Sequence, residues 1–152
     1  MTDSVDIPII APLVPVYAHP GDAGADLCAV EGAVLAPGER ATIPTGVSIA
    51  LPDGFAGFVV PRSGLAARHG ITIVNSPGTV DAGYRGEIRV TLLNTDQSNP
   101  YVISAGDRIA QLVVVPIMRA TFLPVQSLPE SSRGSAGFGS SGYTVSQSGE
   151  HA

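Results

Sequence analysis

Apolar positions in this chain fall in short runs rich in valine and isoleucine, and turn chemistry cuts each run: "PGE" at residues 37–39, "PDG" at 52–54, "SPG" at 76–78 and "AGD" at 105–107. Turns recurring every roughly 8 to 15 residues predict a β-sandwich or barrel rather than alternating strands and helices. The stretch "GEIRVTLLN" (86–94) alternates with period two. It sends Ile88, Val90 and Leu92 to one face and Glu87, Arg89 and Thr91 to the other, as in a strand covered on one side. "RIAQLVVVPI" (108–117) is more continuously apolar and predicts a strand covered on both faces. The opening "VDIPIIAPLVPVYA" (5–18) has prolines at 8, 12 and 15, each removing a ladder donor, so it belongs at a sheet edge or on another subunit.

Two segments break the β pattern. In "RSGLAARHG" (62–70), Leu65, Ala66, Ala67 and Arg68 favour a helical turn or two, with Ser63 placed as an N-cap and Gly70 as the stop. From Pro129 onward glycine and serine prevail, and this composition predicts a flexible tail over 129–152 following a β domain over 1–128. No internal repeat is present.

The 152 residues suit one domain, enough to bury roughly 68 to 70% of the unfolded surface around a single core. Only 14% of residues are charged, against about 25% in an average domain, so some apolar surface is expected to meet another subunit. The net charge is −5 and all eight basic residues are arginine, which argues against a nucleic-acid footprint while leaving room for small anions at local arginine pockets. The lone Cys28 cannot form an internal disulfide and reads as a small core residue. Without a signal-like leader or an apolar run near the roughly 18 residues of a membrane span, a cytoplasmic protein is expected, with neither membrane nor nucleic acid as partner.

Candidate chemistry concentrates in five segments: "AGADL" (23–27), "PRSGLA" (61–66), "GTVDAGYRGE" (78–87), "GDRIAQL" (106–112) and "RGSAGFGSSG" (133–142). Glycine beside serine, arginine or glutamine lets backbone N–H groups approach a phosphate while side chains add donors. A Walker-type loop is excluded because the chain has no lysine, and one cysteine with scattered histidines offers no zinc spacing. A phosphate-bound magnesium ion, held mainly through water and carboxylate, stays open.

These five segments, in this order, resemble the motifs of the homotrimeric deoxyuridine triphosphate nucleotidohydrolases, the dUTPases. "RSGLA" and "VDAGYRGEI" are nearly complete matches. The resemblance implies an all-β, jelly-roll (β-clip-like) subunit with one short helix, assembling as a homotrimer whose active sites are shared between subunits. It implies hydrolysis of dUTP to dUMP and pyrophosphate with Mg2+, keeping uracil out of DNA and supplying dUMP for thymidylate synthesis. The C-terminal arm would close over the nucleotide. A dCTP deaminase of the same fold and a catalytically silent nucleotide-binding trimer are the alternatives.

Each matching residue also has a plainer reading. Asp81 is good turn chemistry; in the resemblance it orients and deprotonates the water that attacks the α-phosphorus. Tyr84 reads as a half-buried strand aromatic, or as the ring that packs on deoxyribose and excludes a 2′-hydroxyl. Asn75 reads as an Asx turn before Ser-Pro-Gly, or as the amide that reads uracil together with the hairpin residues Gly78, Thr79, Val80 and Ile88. Ser63 would lie near the α,β-bridging oxygen, with Arg62 and Gly64 gripping phosphates. Gln111 matches a phosphate donor, and Arg108 reads as a structural ion pair with a nearby carboxylate. Asp26 reads as a residue that ties a turn or balances an arginine, or in the resemblance as one that stands near the metal through water. In the arm, Arg133 matches the residue that meets the γ-phosphate and Phe138 the ring that stacks on uracil. Gly139, Ser140 and Ser141 match residues that wrap the phosphates.

Overall fold

In a computed structural model of the protein, residues 4–137 and 141 are described. They comprise ten strands and one helix: β1 (Ile9–Ile10), β2 (Ala25–Cys28), β3 (Ala33–Leu35), β4 (Arg40–Ile49), β5 (Phe55–Val60), α1 (Ser63–His69), β6 (Ile71–Ile73), β7 (Gly78–Val80), β8 (Ile88–Asn94), β9 (Tyr101–Ile103) and β10 (Arg108–Pro116). All pairings are antiparallel, in sheets ordered β1-β4-β8-β6 and β2-β10-β5-β7, with β3 and β9 forming a two-stranded ribbon. The inner faces share one core, to which β8 gives Ile88, Val90 and Leu92 and the other sheet gives Leu27, Val59, Val80, Ile109, Ala110 and Leu112. The expected alternation of β8 is realised, and β1 takes the expected place at a sheet edge. Each fully buried Leu, Ile or Val side chain stabilises the sandwich by about 1.5 to 3 kcal/mol relative to exposure.

β10 differs from expectation. It lies between β2 and β5, yet Gln111, Val113, Val114 and Val115 are only part-buried, so a single chain does not cover both its faces. Its register against β2 runs Arg108 to Cys28 and then Ala110 to Leu27, which places one extra residue, Ile109, in β10. A bulge of this kind changes the phase of the side chains. Ile109 and Ala110 are consecutive and both buried, while Arg108 comes to the same side as Gln111 and Val113. The long apolar run thus records a bulge as well as burial.

The helix also differs at its start. Arg62, with extended backbone (φ −93°, ψ 126°), holds the N-cap position and makes no side-chain cap bond; Ser63 is the first helical residue rather than the cap. The Arg62 carbonyl accepts from the N–H groups of Leu65 and Ala66, both at 3.1 Å, so the main chain closes the first turn without the serine hydroxyl. Gly70 ends the helix as expected, with a left-handed φ of 64° and its N–H donated to the Ala66 carbonyl at 3.0 Å. A side chain at Gly70 would also meet Thr95 Oγ1 at 2.8 Å.

The chain divides into two compact units, one ending at Arg119 and one beginning at Ala120. The change of composition at Pro129 lies within the second. In the first unit, the fully buried Asn94 closes the end of β8: its Nδ2 donates to the Leu35 carbonyl at 3.0 Å and the Asn99 carbonyl at 2.9 Å, and its Oδ1 accepts from Asp96 N–H at 2.9 Å. Losing all three leaves peptide groups unpaired where water has little access. Asn94→Ala is therefore expected to cost about 2 to 4 kcal/mol, read from urea unfolding; a loss below about 0.5 kcal/mol would show that the network relaxes freely.

Candidate active site

One cleft of about 200 Å³ opens between β7 and β8, lined by Asn75, Gly78, Thr79, Val80, Asp81, Tyr84 and Ile88 among others. The expected hairpin is not formed: β7 pairs with β5 and β8 with β4 and β6, so the segment 81–87 crosses from one sheet to the other and its turn walls the cleft. Val80 and Ile88 are buried and make the apolar floor, while Asp81 and Tyr84 stand on the turn above it and are exposed. The turn closes through Tyr84 N–H to the Asp81 carbonyl at 3.0 Å, so Asp81 is a turn residue by backbone, and among the described residues its carboxylate has no partner. Arg85 stiffens the tip by donating from Nη1 to the carbonyls of Ala82 (2.6 Å) and Tyr84 (2.9 Å). Asn75 makes no Asx turn: among the described residues its amide has no partner within the chain, and it stands beside Gly78, where a Cβ would come within 3.4 Å of Nδ2.

A second, broader cleft of about 520 Å³ gathers Asp26, Arg62, Ser63, Gly64, Arg108 and Gln111. Asp26 lies at its centre, with a side chain only 12% exposed, and divides its two oxygens between two cations: Oδ1 with Arg62 Nε at 3.2 Å and Oδ2 with Arg108 Nη1 at 3.1 Å. Arg62 also donates from Nη1 to the Arg108 carbonyl at 3.1 Å. Arg108 is thus the ion pair its sequence suggested, and the same carboxylate aligns Arg62 as well. Asp22 lines the same cleft, its Oδ2 accepting from His19 N–H at 2.8 Å, so two arginines face two carboxylates and the cleft suits an anion through directed N–H donors rather than through excess charge. Gln111 Nε2 donates to the Pro61 carbonyl at 3.0 Å, and its amide rests on Gly24, where a Cβ would fall 2.3 Å from Oε1. The strand pairing of Gln111 with both Val60 and Asp26 explains why these three segments meet.

Beyond these clefts, Arg133 lies in the second unit, where its Nε donates to the Ala136 carbonyl at 2.9 Å, and Ser141 is exposed. Phe138, Gly139 and Ser140 lie outside the described residues. Sequence reasoning passed over Gly24, Arg85 and Glu87. A glycine two residues before Asp26 and a second glycine flanking Tyr84 were the signals available for such close packing.

A sequence model of the dUTPase family matches residues 13–142. The chain belongs to the dUTPase family. It is 76% identical over 152 residues, the full length of both chains, to the deoxyuridine 5'-triphosphate nucleotidohydrolase of Leifsonia xyli subsp. xyli. To the protein of the same name from Thermobifida fusca it is 66% identical over 129 residues, covering 85% of this chain and 72% of that one. Among solved structures, a variant of the Staphylococcus bacteriophage 80alpha dUTPase with dUpNHpp superposes with a TM-score of 0.86 at 29% identity, over 92% of this chain and 100% of that one. A variant dUTPase from phage phi11 of S. aureus, described for its coordination of a structural Mg(II) ion, superposes at 0.77 with 27% identity, over 83% and 100%. The jelly-roll expectation for the fold stands.

Metal fit is limited by the donor set. Among the described residues no group of three or more His, Cys, Asp or Glu side chains converges, and both oxygens of Asp26 already face arginines. Such a site fits only an ion that keeps most of its waters and takes its other ligands from a phosphate chain, the habit of magnesium.

Cys28, in β2 two residues beyond Asp26, has its thiol pKa raised first by burial and next by the negative charge of Asp26. It stays protonated at neutral pH, but it is not the core residue expected: the alternation of β2 buries Ala25 and Leu27 and leaves Cys28 part-buried on the face of Asp26. Removing that charge should lower the pKa and enlarge the thiolate fraction. Asp26→Asn is therefore expected to speed alkylation of Cys28 by iodoacetamide at pH 8 several-fold, followed by mass spectrometry; an unchanged rate would mean that the arginines already cancel Asp26 at this distance.

Proposed function

We propose that this member of the dUTPase family hydrolyses dUTP to dUMP and pyrophosphate, a dUTP diphosphatase working in nucleotide metabolism. The observation that carries the assignment of parts is the cleft between β7 and β8. A free carboxylate, an unpartnered amide and a half-exposed aromatic ring line one small cavity with an apolar floor. That set suits a uracil base read by Asn75 and the peptide groups of β7, a deoxyribose against Tyr84, and a water held by Asp81 for in-line attack on the α-phosphorus. Mispaired polar groups on a different base edge would be costly in such a pocket. The readings as a deaminase or a silent binder are not favoured by the relatives' names.

The triphosphate belongs in the second cleft. Arg62 and Gln111 supply donors, Arg108 adds charge, and the backbone of Ser63 and Gly64 faces the anion at the helix start, where N–H groups have no intrahelical partner. Ser63 would stand by the bridging oxygen that gains charge as pyrophosphate departs. Bound with the substrate, Mg2+ would neutralise phosphate charge, with Asp26 reaching it through water.

The two clefts share no lining residue. A single nucleotide needs both, and the trimer expected for the family supplies the β7–β8 cleft of one subunit to the phosphate cleft of another. Exposed apolar side chains such as Ile10, Val14, Val16 and Tyr17 in the first unit, and Phe122, Leu123 and Leu128 in the second, support subunit contacts. The arm would then close with Phe138 on uracil, Arg133 at the γ-phosphate, and Gly139, Ser140 and Ser141 around the phosphates, excluding water from the reaction. No helix among the described residues is long and apolar enough to cross a membrane. The cytoplasm, where a lone thiol stays reduced, is the compartment this reading calls for.

Turnover of dUTP by the full chain, followed by pyrophosphate release, tests the assignment. Asp81→Asn is expected to lower kcat about 10²- to 10⁴-fold with the assembly intact, and a chain ending at residue 132 should also be strongly slowed without loss of the trimer. An inactive wild type would overturn the function, equal rates for Asp81→Asn would remove Asp81 from the chemistry, and unchanged kinetics for the shortened chain would remove the arm.

A further inference from the structure

We infer that Glu87 is a positioning residue for sugar selection, which locks the Tyr84 ring in place by linking it to the bulge of β4. The inference rests on the assignment of Tyr84 to the deoxyribose. The alternation of β8 puts Glu87 on the polar face, where a carboxylate would ordinarily be solvated. Here it is part-buried, and Oε1 accepts from the Gly46 N–H at 2.8 Å. Gly46 lies where the register of β4 against β8 slips between Pro44 and Val47; its φ is +69°, and a Cβ there would meet the Pro12 ring at 2.7 Å. Neither the conformation nor the space admits another residue, so this N–H is held in a fixed direction. The buried Thr45 hydroxyl donates to the Ile88 carbonyl and accepts from Val47 N–H at 3.2 Å, tying the start of β8 to the same bulge.

The other end of the link is the ring itself. The Tyr84 hydroxyl donates to the Glu87 carbonyl at 2.9 Å. The hydroxyl end of the ring packs against Gly86, where a Cβ would come within 2.5 Å of the hydroxyl oxygen and 2.7 Å of Cζ. Gly46 N–H, the Glu87 carboxylate, the Glu87 carbonyl and the Tyr84 hydroxyl therefore form one continuous connection from the frame to a ring that is 46% exposed. A ring that selects by bulk excludes a 2′-hydroxyl only as firmly as it resists displacement. The hydroxyl of Tyr84 is spent on the tether and is not needed for contact with substrate.

The test compares binding of dUDP and UDP to the full-length protein by calorimetry, a ratio that does not depend on turnover. Glu87→Ala should keep the β-sheet circular dichroism and lose about three- to tenfold of the preference for dUDP, the range expected when one tethering hydrogen bond goes. Glu87→Gln, which still offers an oxygen to Gly46 N–H, should hold the preference within about twofold of wild type. Tyr84→Phe keeps the ring and removes only the hydroxyl, so it should match Glu87→Ala and decides the matter if that variant does not fold. An unchanged preference in either variant overturns the inference, as does a Glu87→Gln loss equal to that of Glu87→Ala. A wild type that prefers dUDP but fails to hydrolyse dUTP would overturn the proposed reaction and leave this tether standing.

Discussion

The pairing of β10 with β2 on one side and β5 on the other is the constraint on which the rest depends. It brings "AGADL", "GDRIAQL" and "PRSGLA" side by side, and the next strand in that sheet, β7, carries "GTVDAG". Four segments separated by up to 85 residues of chain, from Asp26 to Gln111, thus lie along one sheet. The single extra residue at Ile109 is what lets one strand serve both purposes: the core receives Ile109, Ala110 and Leu112, and the cleft receives Arg108 and Gln111. Removing that residue would rotate Arg108 away from Asp26 and leave a nearly buried carboxylate with half its charge partners.

Preorganisation is the common theme of the two clefts. Arginines free to wander would have to give up side-chain freedom on binding, at roughly 0.5 to 1.5 kcal/mol for each immobilised chain. Asp26 imposes that order in advance. In the cleft between β7 and β8 the Arg85 and Tyr84 bonds do the same for the loop that carries Asp81. Among the described residues Asp81 is held through its backbone, so its exposed carboxylate stays accessible while its position is fixed.

Much of this was legible from residue pattern. The alternation of "GEIRVTLLN" predicted the face of β8, the prolines of the first segment predicted an edge, and Gly70 predicted a left-handed helix end. The ion pair of Arg108 was foreseen by charge chemistry, and the grouping of the candidate residues followed the family resemblance. What escaped depends on three-dimensional phase. A bulge in a run of apolar residues has no period of its own, so β10 read as a strand with two covered faces. Ser63 looked like a cap because its side chain suits one, whereas the main chain of Arg62 takes that place. Glu87 looked like surface because its partner, Gly46, lies 41 residues away in a bulge that only the fold reveals.

The central claim is that solvent is driven onto the innermost phosphorus of the bound triphosphate. Hydrolysis of dUTP in water enriched in oxygen-18, with both products weighed by mass spectrometry, tests it most directly. One labelled oxygen in dUMP and none in pyrophosphate is the predicted result; label in the pyrophosphate would place the attack at the β-phosphorus and contradict the account.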